Sequence, residues 1–125
     1  MERVFLILGA LSGFLAVAAG AFGAHALRQK IAPEMLSVFE TGARYQMYHS
    51  LALIGVAWAA SHWPAAAFQI AGWCFLTGTI LFSGSLYFMA LTDSRWVGAI
   101  TPLGGLAYLL GWLALAWGAG RQTSQ

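Results

Sequence analysis

YQMYHSLALIGVAWAASHWPAAAFQIAGWCFLTGTILFSGSLYFMALT, residues 45–92, contains no Asp, Glu, Lys or Arg. Crossing a hydrocarbon layer of roughly 30 Å takes about 20 apolar residues, so the interval holds enough for two crossings. Ser61-His62-Trp63-Pro64 divides it. Proline disfavours helix in the residue before it and suits the first turn of the helix that follows. So short a link makes the two helices antiparallel neighbours. One span is therefore read at 45–60 and another at 65–91, the second long enough to tilt or to protrude near Tyr87.

Working outward, residues 4–24 are again uncharged, about the length of one crossing. The charged head Met1-Glu2-Arg3 and the small residues Ala18-Ala19-Gly20-Ala21 also suit a signal peptide. The apolar core of such a peptide is usually about 7–15 residues; this run is longer and is read as a retained span. Gly9, Gly13, Ala16, Gly20 and Ala24 recur at spacings of three or four, giving a bulk-free stripe that lets another helix approach. Arg28 and Lys30 then suit a membrane edge. Ala32-Pro33-Glu34 reads as a helix start. Met35, Leu36 and Phe39 share one side, with Glu34, Ser37, Glu40 and Thr41 mostly opposite. This pattern predicts an interfacial helix at 33–44, with Gly42 as its bend into the second span.

On the other flank, Thr92-Asp93-Ser94-Arg95 reads as a turn and Thr101-Pro102 as the start of a fourth span at 102–119, with 96–100 in the interface before it. Gly104, Gly111 and Gly118 fall seven apart and form a second bulk-free stripe. The expected fold is an all-α integral membrane protein. Four transmembrane helices form one antiparallel bundle, a single domain covering 1–125. Composition agrees: 60% of the 125 residues are hydrophobic and 8% charged, and mean hydropathy is +0.73, against roughly 25% charged in soluble domains. A net charge of +2 from scattered residues excludes a nucleic-acid footprint. Cys74, the only cysteine, has no partner for an intrachain disulfide and is read as packing.

Four spans place the first and third loops on one side and both termini with the second loop on the other. Arg28, Lys30, Arg44 and Arg95 stand against Arg3 and Arg121, so the positive-inside rule puts loops one and three in the cytoplasm. Trp58, Trp63 and Trp117 mark one interface, and Tyr45, Tyr48, Tyr87 and Trp96 the other.

The end built from loops one and three gathers the chain's polar side chains: His25, Glu40, Arg44, Gln46, His49, Ser83 and Ser85, with Tyr87, Asp93 and Thr101. Any site is expected there. Glu40 and Arg44 stand four apart with the acid first, the favourable order for a helical ion pair; the alternative is that Arg44 grips a phosphate or carboxylate. His49 is read as hydrogen-bonded to a serine or carbonyl of a neighbouring helix, ahead of a proton relay or a metal site with His25 and Glu40. No HxxxH or HExxH spacing supports a metal, and none is assigned. Ser83-Gly84-Ser85 lacks the setting of a nucleophile elbow and is read as interhelical hydrogen-bonding glue. Catalytic residues and cofactors are expected to be absent.

Four blocks together resemble the YgdD/YwdK-like family: GAFGAHAL at 20–27, ETGARYQMYH at 40–49, FSGSLY at 82–87 and TPLGG at 101–105. That family comprises small bacterial inner-membrane proteins related to a small eukaryotic transmembrane protein. The likeness covers nearly the whole chain in order, with no departure at these blocks. It implies four spans in the inner membrane and supplies no activity, ligand or catalytic residue. The functional expectation is a non-enzymatic membrane protein that binds a lipid or a membrane-protein partner through the polar end. It would self-associate through its glycine stripes. The alternative is a small transporter or proton-conducting subunit using Glu40, Arg44 and His49. A lipid-headgroup enzyme with His49 or His25 as base ranks last, because no nucleophile–base spacing is present.

Overall fold

The computed structural model describes residues 1–122. Among them the ordered elements are helical: α1 (Glu2–Phe22), α2 (Pro33–His62), α3 (Ala66–Gly78), α4 (Gly84–Thr92) and α5 (Thr101–Gly120). A π-helical turn, Gly23–Leu27, continues α1, and another, Thr79–Ser83, joins α3 to α4. A 3₁₀ turn, Arg95–Ala99, leads into α5. Three stretches are long and apolar enough to cross a membrane: Glu2–Leu27, Ala66–Thr92 and Arg95–Gly120. At 30 residues α2 is longer than any of these, about 45 Å at 1.5 Å per residue. Its Glu34, Glu40, Arg44, Gln46 and His49 make it less apolar.

The segment expected at 33–44 as an interfacial helix is continuous with the second span: α2 runs unbroken through Gly42. The missing side chain serves close approach instead: a Cβ at Gly42 would lie 3.0 Å from the Tyr87 ring and 3.3 Å from Leu86. Ser83 Oγ–H donates to the Gly42 carbonyl at 2.7 Å, fixing α4 against α2 at that level.

α1 lies along α2, and α5 lies along α3. α2 also packs on α3 and α4 but scarcely meets α5. The helices therefore form a curved row, α1–α2–α3/α4–α5, with an open seam between α2 and α5. At the end of the bundle carrying the N-terminus α1 also reaches α3, where Phe5 packs edge-on to Trp73 at 5.3 Å. Phe5, Leu53, Val56, Phe68 and Phe75 are fully buried between the helices.

Glycine makes this packing possible. A Cβ at Gly72, Gly78, Gly111 or Gly118 would strike the ring of Phe5, Tyr108, Phe75 or Phe68 respectively, and one at Gly104 would strike the backbone of Phe82. Gly9 is equally tight, 3.0 Å from the Ser50 carbonyl, whereas Gly13 makes only an ordinary contact at 3.7 Å. Gly9, Gly104, Gly111 and Gly118 of the two stripes thus make close contacts within the chain. Gly20 is the exception, with nothing within 4 Å of its Cβ position.

Local chemistry ends each helix. Trp63 turns extended after α2, its N–H still bonded to Ala59 O. Asp93 closes α4 in the left-handed region, φ 56 and ψ 23, a conformation that Asp tolerates better than most residues. Arg95 then reaches Asp93 at 3.5 Å and Glu34 at 3.3 Å. All three are exposed, so each pair contributes at most about 1 kcal/mol.

Replacing Gly104 by Val should destabilise the fold by about 1–3 kcal/mol or more, because the obstacle is backbone. Gly55, with open space around it, should accept Ala within about 1 kcal/mol of wild type. Unfolding of both variants in mixed micelles checks the contrast; equal losses would remove the packing assignment.

Candidate functional site

Gln46 stands thirteen residues into α2, about 20 Å from either end at 1.5 Å per residue. A buried amide at that position must find partners within the protein. Its Nε2–H donates to Ser12 O at 3.1 Å and to Ser12 Oγ at 3.3 Å, at the middle of α1. Its Oε1 accepts Tyr87 O–H at 2.6 Å, and its backbone carbonyl accepts Ser50 O–H at 2.7 Å. With Ser83 on the Gly42 carbonyl, this network ties α1, α2 and α4 at one level. Among the described residues no buried side-chain polar atom is left without a partner.

A second polar group lies on the α5 side. His49 Nδ1 is 2.7 Å from Tyr45 O, and its Nε2 is 3.1 Å from Trp112 Nε1. A carbonyl only accepts and an indole N–H only donates, so the ring carries its proton on Nδ1 and accepts at Nε2. Both nitrogens are engaged. The imidazole stacks on Tyr108 with centroids 3.4 Å apart and planes 5° apart. Tyr108 O–H donates to Thr79 Oγ at 3.1 Å, and Thr79 donates to Phe75 O at 2.9 Å. The π-helical turn at Thr79–Ser83 is where both polar groups attach to the α3–α4 rod. Extra turns of this kind recur where a helix must re-aim side chains.

Above the His49–Tyr108 stack lies the seam between α2 and α5, an open cavity of about 740 Å³. Its walls are aromatic and aliphatic: Tyr45, Tyr48 and His49 from α2, Leu106 and Trp112 from α5, with Phe82 beneath. Tyr45 packs on Phe82 with centroids 4.8 Å apart.

The seven polar residues singled out in the sequence do not form one cluster. Gln46 and Ser83 meet through the central network. His49 belongs to the α5 side, and Ser85 shares a 2.5 Å hydrogen bond with Thr101. His25 is exposed on the turn after α1. The Glu40–Arg44 ion pair is absent among the described residues; the acids that pair with an arginine are Glu34 and Asp93, both with Arg95. Nine residues at about 100° each turn His49 half-way round α2 from Glu40, so those two cannot share a site. The histidine's own-helix carbonyl and an indole replace the neighbouring serine or carbonyl expected for it.

Ser12, Gln46, His49 and Thr79 all lie near the middle of their helical stretches, inward of His25, Asp93 and Thr101 at the end built from loops one and three. Tyr45 and Tyr48 line the seam, and Tyr87 joins the central network. Ser12, Thr79, Tyr108 and Trp112 escaped the sequence reading. Each is a lone polar or aromatic residue in an apolar run, and only pairing across helices distinguishes it.

The chain matches the family described as "Protein of unknown function (DUF423)" over residues 19–105. It is 48% identical over 113 residues to a Staphylococcus epidermidis protein named "UPF0382 membrane protein", covering 90% of this chain and 92% of that one. The Bacillus subtilis "UPF0382 membrane protein YwdK" is 46% identical over 114 residues, 90% and 93% of the two chains. A Haemophilus influenzae protein of the same general name is 42% identical over 125 residues, 99% of each. No solved structure matches the chain.

A double-mutant cycle between Gln46→Leu and Tyr87→Phe should return a coupling of about 0.6–2 kcal/mol, the range of buried interhelical hydrogen bonds in bilayers. Gln46→Leu and Trp112→Phe, which act in separate groups, should add within about 0.5 kcal/mol. Reversible unfolding in micelles measures both; zero coupling in the first cycle would deny Gln46 its central place.

Proposed function

The chain belongs to the DUF423 family of membrane proteins, to which no molecular activity is assigned, and from that premise we propose that it is a non-enzymatic lipid-binding protein of the bacterial inner membrane. In this reading it crosses four times and holds a lipid tail in the seam between α2 and α5. The observation that carries the reading is the open cavity of about 740 Å³ between two helices that scarcely touch. Once both helices cross, such a cavity faces hydrocarbon. Its aromatic walls, floored by rings already locked by hydrogen bonds, offer a rigid apolar surface of the kind that small-molecule sites use.

The fourth crossing is α2. Its length of about 45 Å exceeds the roughly 30 Å hydrocarbon layer, which leaves its first turns among the head groups. Its charges, Glu34, Glu40 and Arg44, all fall in the half nearer Pro33. The central network offsets the cost of Gln46, and the Tyr45 carbonyl and Trp112 indole offset that of His49. With four crossings, Arg28, Lys30, Arg44 and Arg95 face the cytoplasm.

A transporter or proton-conducting role is the second reading, favoured by polar groups at mid-helix. Those hydrogen bonds run across the bundle and not along it, and each is already made. Glu40 and Arg44 face away from His49.

Single cysteines at Gln29, Ser94 and Ser61, in a Cys74→Ser background, should label from two compartments: 29 and 94 together, 61 from the other. Labelling of 29 and 94 from opposite sides would leave α2 outside the membrane. Phospholipid carrying a photoreactive acyl chain should crosslink chiefly to Tyr48, Leu106 and Leu109, and Gly105→Phe should suppress it. Crosslinks spread evenly over every lipid-facing helix would remove the seam as a site. Proton flux in liposomes that His49→Ala abolishes would favour the second reading.

A further inference from the structure

The other flank of α2, facing α1, carries a different recess. It measures about 310 Å³ and is lined by Ala16 and Gly20 of α1 and by Glu40, Ala43 and Arg44 of α2. The hollow exists because Gly20 has no side chain and nothing approaches its Cβ position within 4 Å. Glu40 and Arg44 both border it, in the order and spacing that favour an ion pair. Yet neither takes part in an ion pair among the described residues. Opposite charges four residues apart, unpaired and bordering one hollow, suit a ligand that carries both signs itself.

Depth and order narrow the ligand. α1 and α2 run antiparallel, with Gly23 against Phe39 and Gly9 against Leu53, so the recess lies near the end of α1. Gly20 is four residues short of the end of the uncharged run at 24, about 6 Å inside it. An arginine stem at that level carries its guanidinium to the phosphate layer. Glu40 lies about 6 Å nearer the start of α2 than Arg44. Anion-binding group inside and cation-binding group outside is the order of phosphate and ammonium in a phospholipid whose head group carries an amine. A planar guanidinium fits the phosphate with two parallel hydrogen bonds, and the carboxylate takes the ammonium.

We propose that the recess between α1 and α2 binds the head group of an aminophospholipid, with its phosphate on Arg44 and its ammonium on Glu40. The proposal rests on the reading that α2 crosses the bilayer with Pro33 at the aqueous end; it is independent of the α2–α5 seam.

The test is native mass spectrometry of the full-length protein released from micelles holding equal amounts of phosphatidylethanolamine and phosphatidylglycerol. Wild type should retain the ethanolamine lipid about tenfold over the glycerol lipid, the ratio that one added charge-assisted contact yields. Glu40→Gln should bring the two lipids level while leaving phosphatidylglycerol adducts unchanged. Arg44→Gln should deplete both. Gly20→Leu should also deplete both, by filling the hollow without altering charge, and its free surroundings leave the fold intact. Gly105→Phe, in the seam, should leave the ratio unchanged, so failure of the seam and failure of the recess read out separately. Soluble O-phosphoethanolamine should not displace the lipid. Equal retention of the two lipids by wild type, or a ratio indifferent to both Glu40→Gln and Arg44→Gln, overturns the proposal. Displacement by O-phosphoethanolamine overturns its assignment to a membrane lipid.

Discussion

The structure depends on the requirement that polar groups buried at the centre of a helix bundle be satisfied by other parts of the same chain. Gln46 places a primary amide there, and two neighbouring helices answer it. Ser12 supplies acceptors from α1, Tyr87 a donor from α4, and Ser50 completes the local set. Apolar packing has no sidedness in oil, since lipid tails attract leucine as well as leucine does. A hydrogen-bonded centre does have sidedness, and it gives α1, α2 and α4 one register. The glycine contacts then set distance. With no Cβ at Gly104, Gly111 and Gly118, α5 comes close enough to α3 and the π-helical turn after it for dispersion to act over the length of the helix.

α2 is the organising element because its faces have different work. One face takes α1 through Gln46, Leu53 and the small residues. Another takes α4 through Gly42 and Ser83. The arc bearing Tyr45, Tyr48 and His49 is left partly open over the seam, and the arc bearing Glu40 and Arg44 borders the recess. No simple amphipathic pattern describes such a helix. This is why its polar residues read as one cluster in the sequence and as several in space.

The helical class, the division at Ser61–Pro64 and the start of α5 at Thr101-Pro102 were legible, because uncharged length and proline act locally. Both glycine stripes were legible as close-packing surfaces, although Gly20 turned out to border a hollow. What was not legible is what depends on azimuth and on partners. The Glu40–Arg44 spacing announced a pair that is absent among the described residues, whereas Arg95 pairs with Glu34 and Asp93 across the turn. His49 read as hydrogen-bonded to a serine or carbonyl of a neighbouring helix; its partners are the Tyr45 carbonyl on its own helix and the Trp112 indole, with Tyr108 stacked on the ring. Gly42 looked like a hinge and is a contact surface. Ser12 and Thr79 carry no signal of their own until a second helix is placed beside them.

The row-like arrangement, with α1 on α2 and α5 on α3, also bears on how the protein is made. Each of these pairings joins helices that follow one another closely in the chain, so each hairpin can zip as it leaves the insertion machinery, without waiting for distant sequence. The contacts of Phe5 with Gly72 and Trp73, the Ser83 and Tyr87 bonds to α2, the His49 contacts with Tyr108 and Trp112 and the Arg95–Glu34 pair then dock one hairpin onto the other. Assembly divides into two locally closed hairpins and one docking step along α2, with little opportunity for helices to pair in the wrong order.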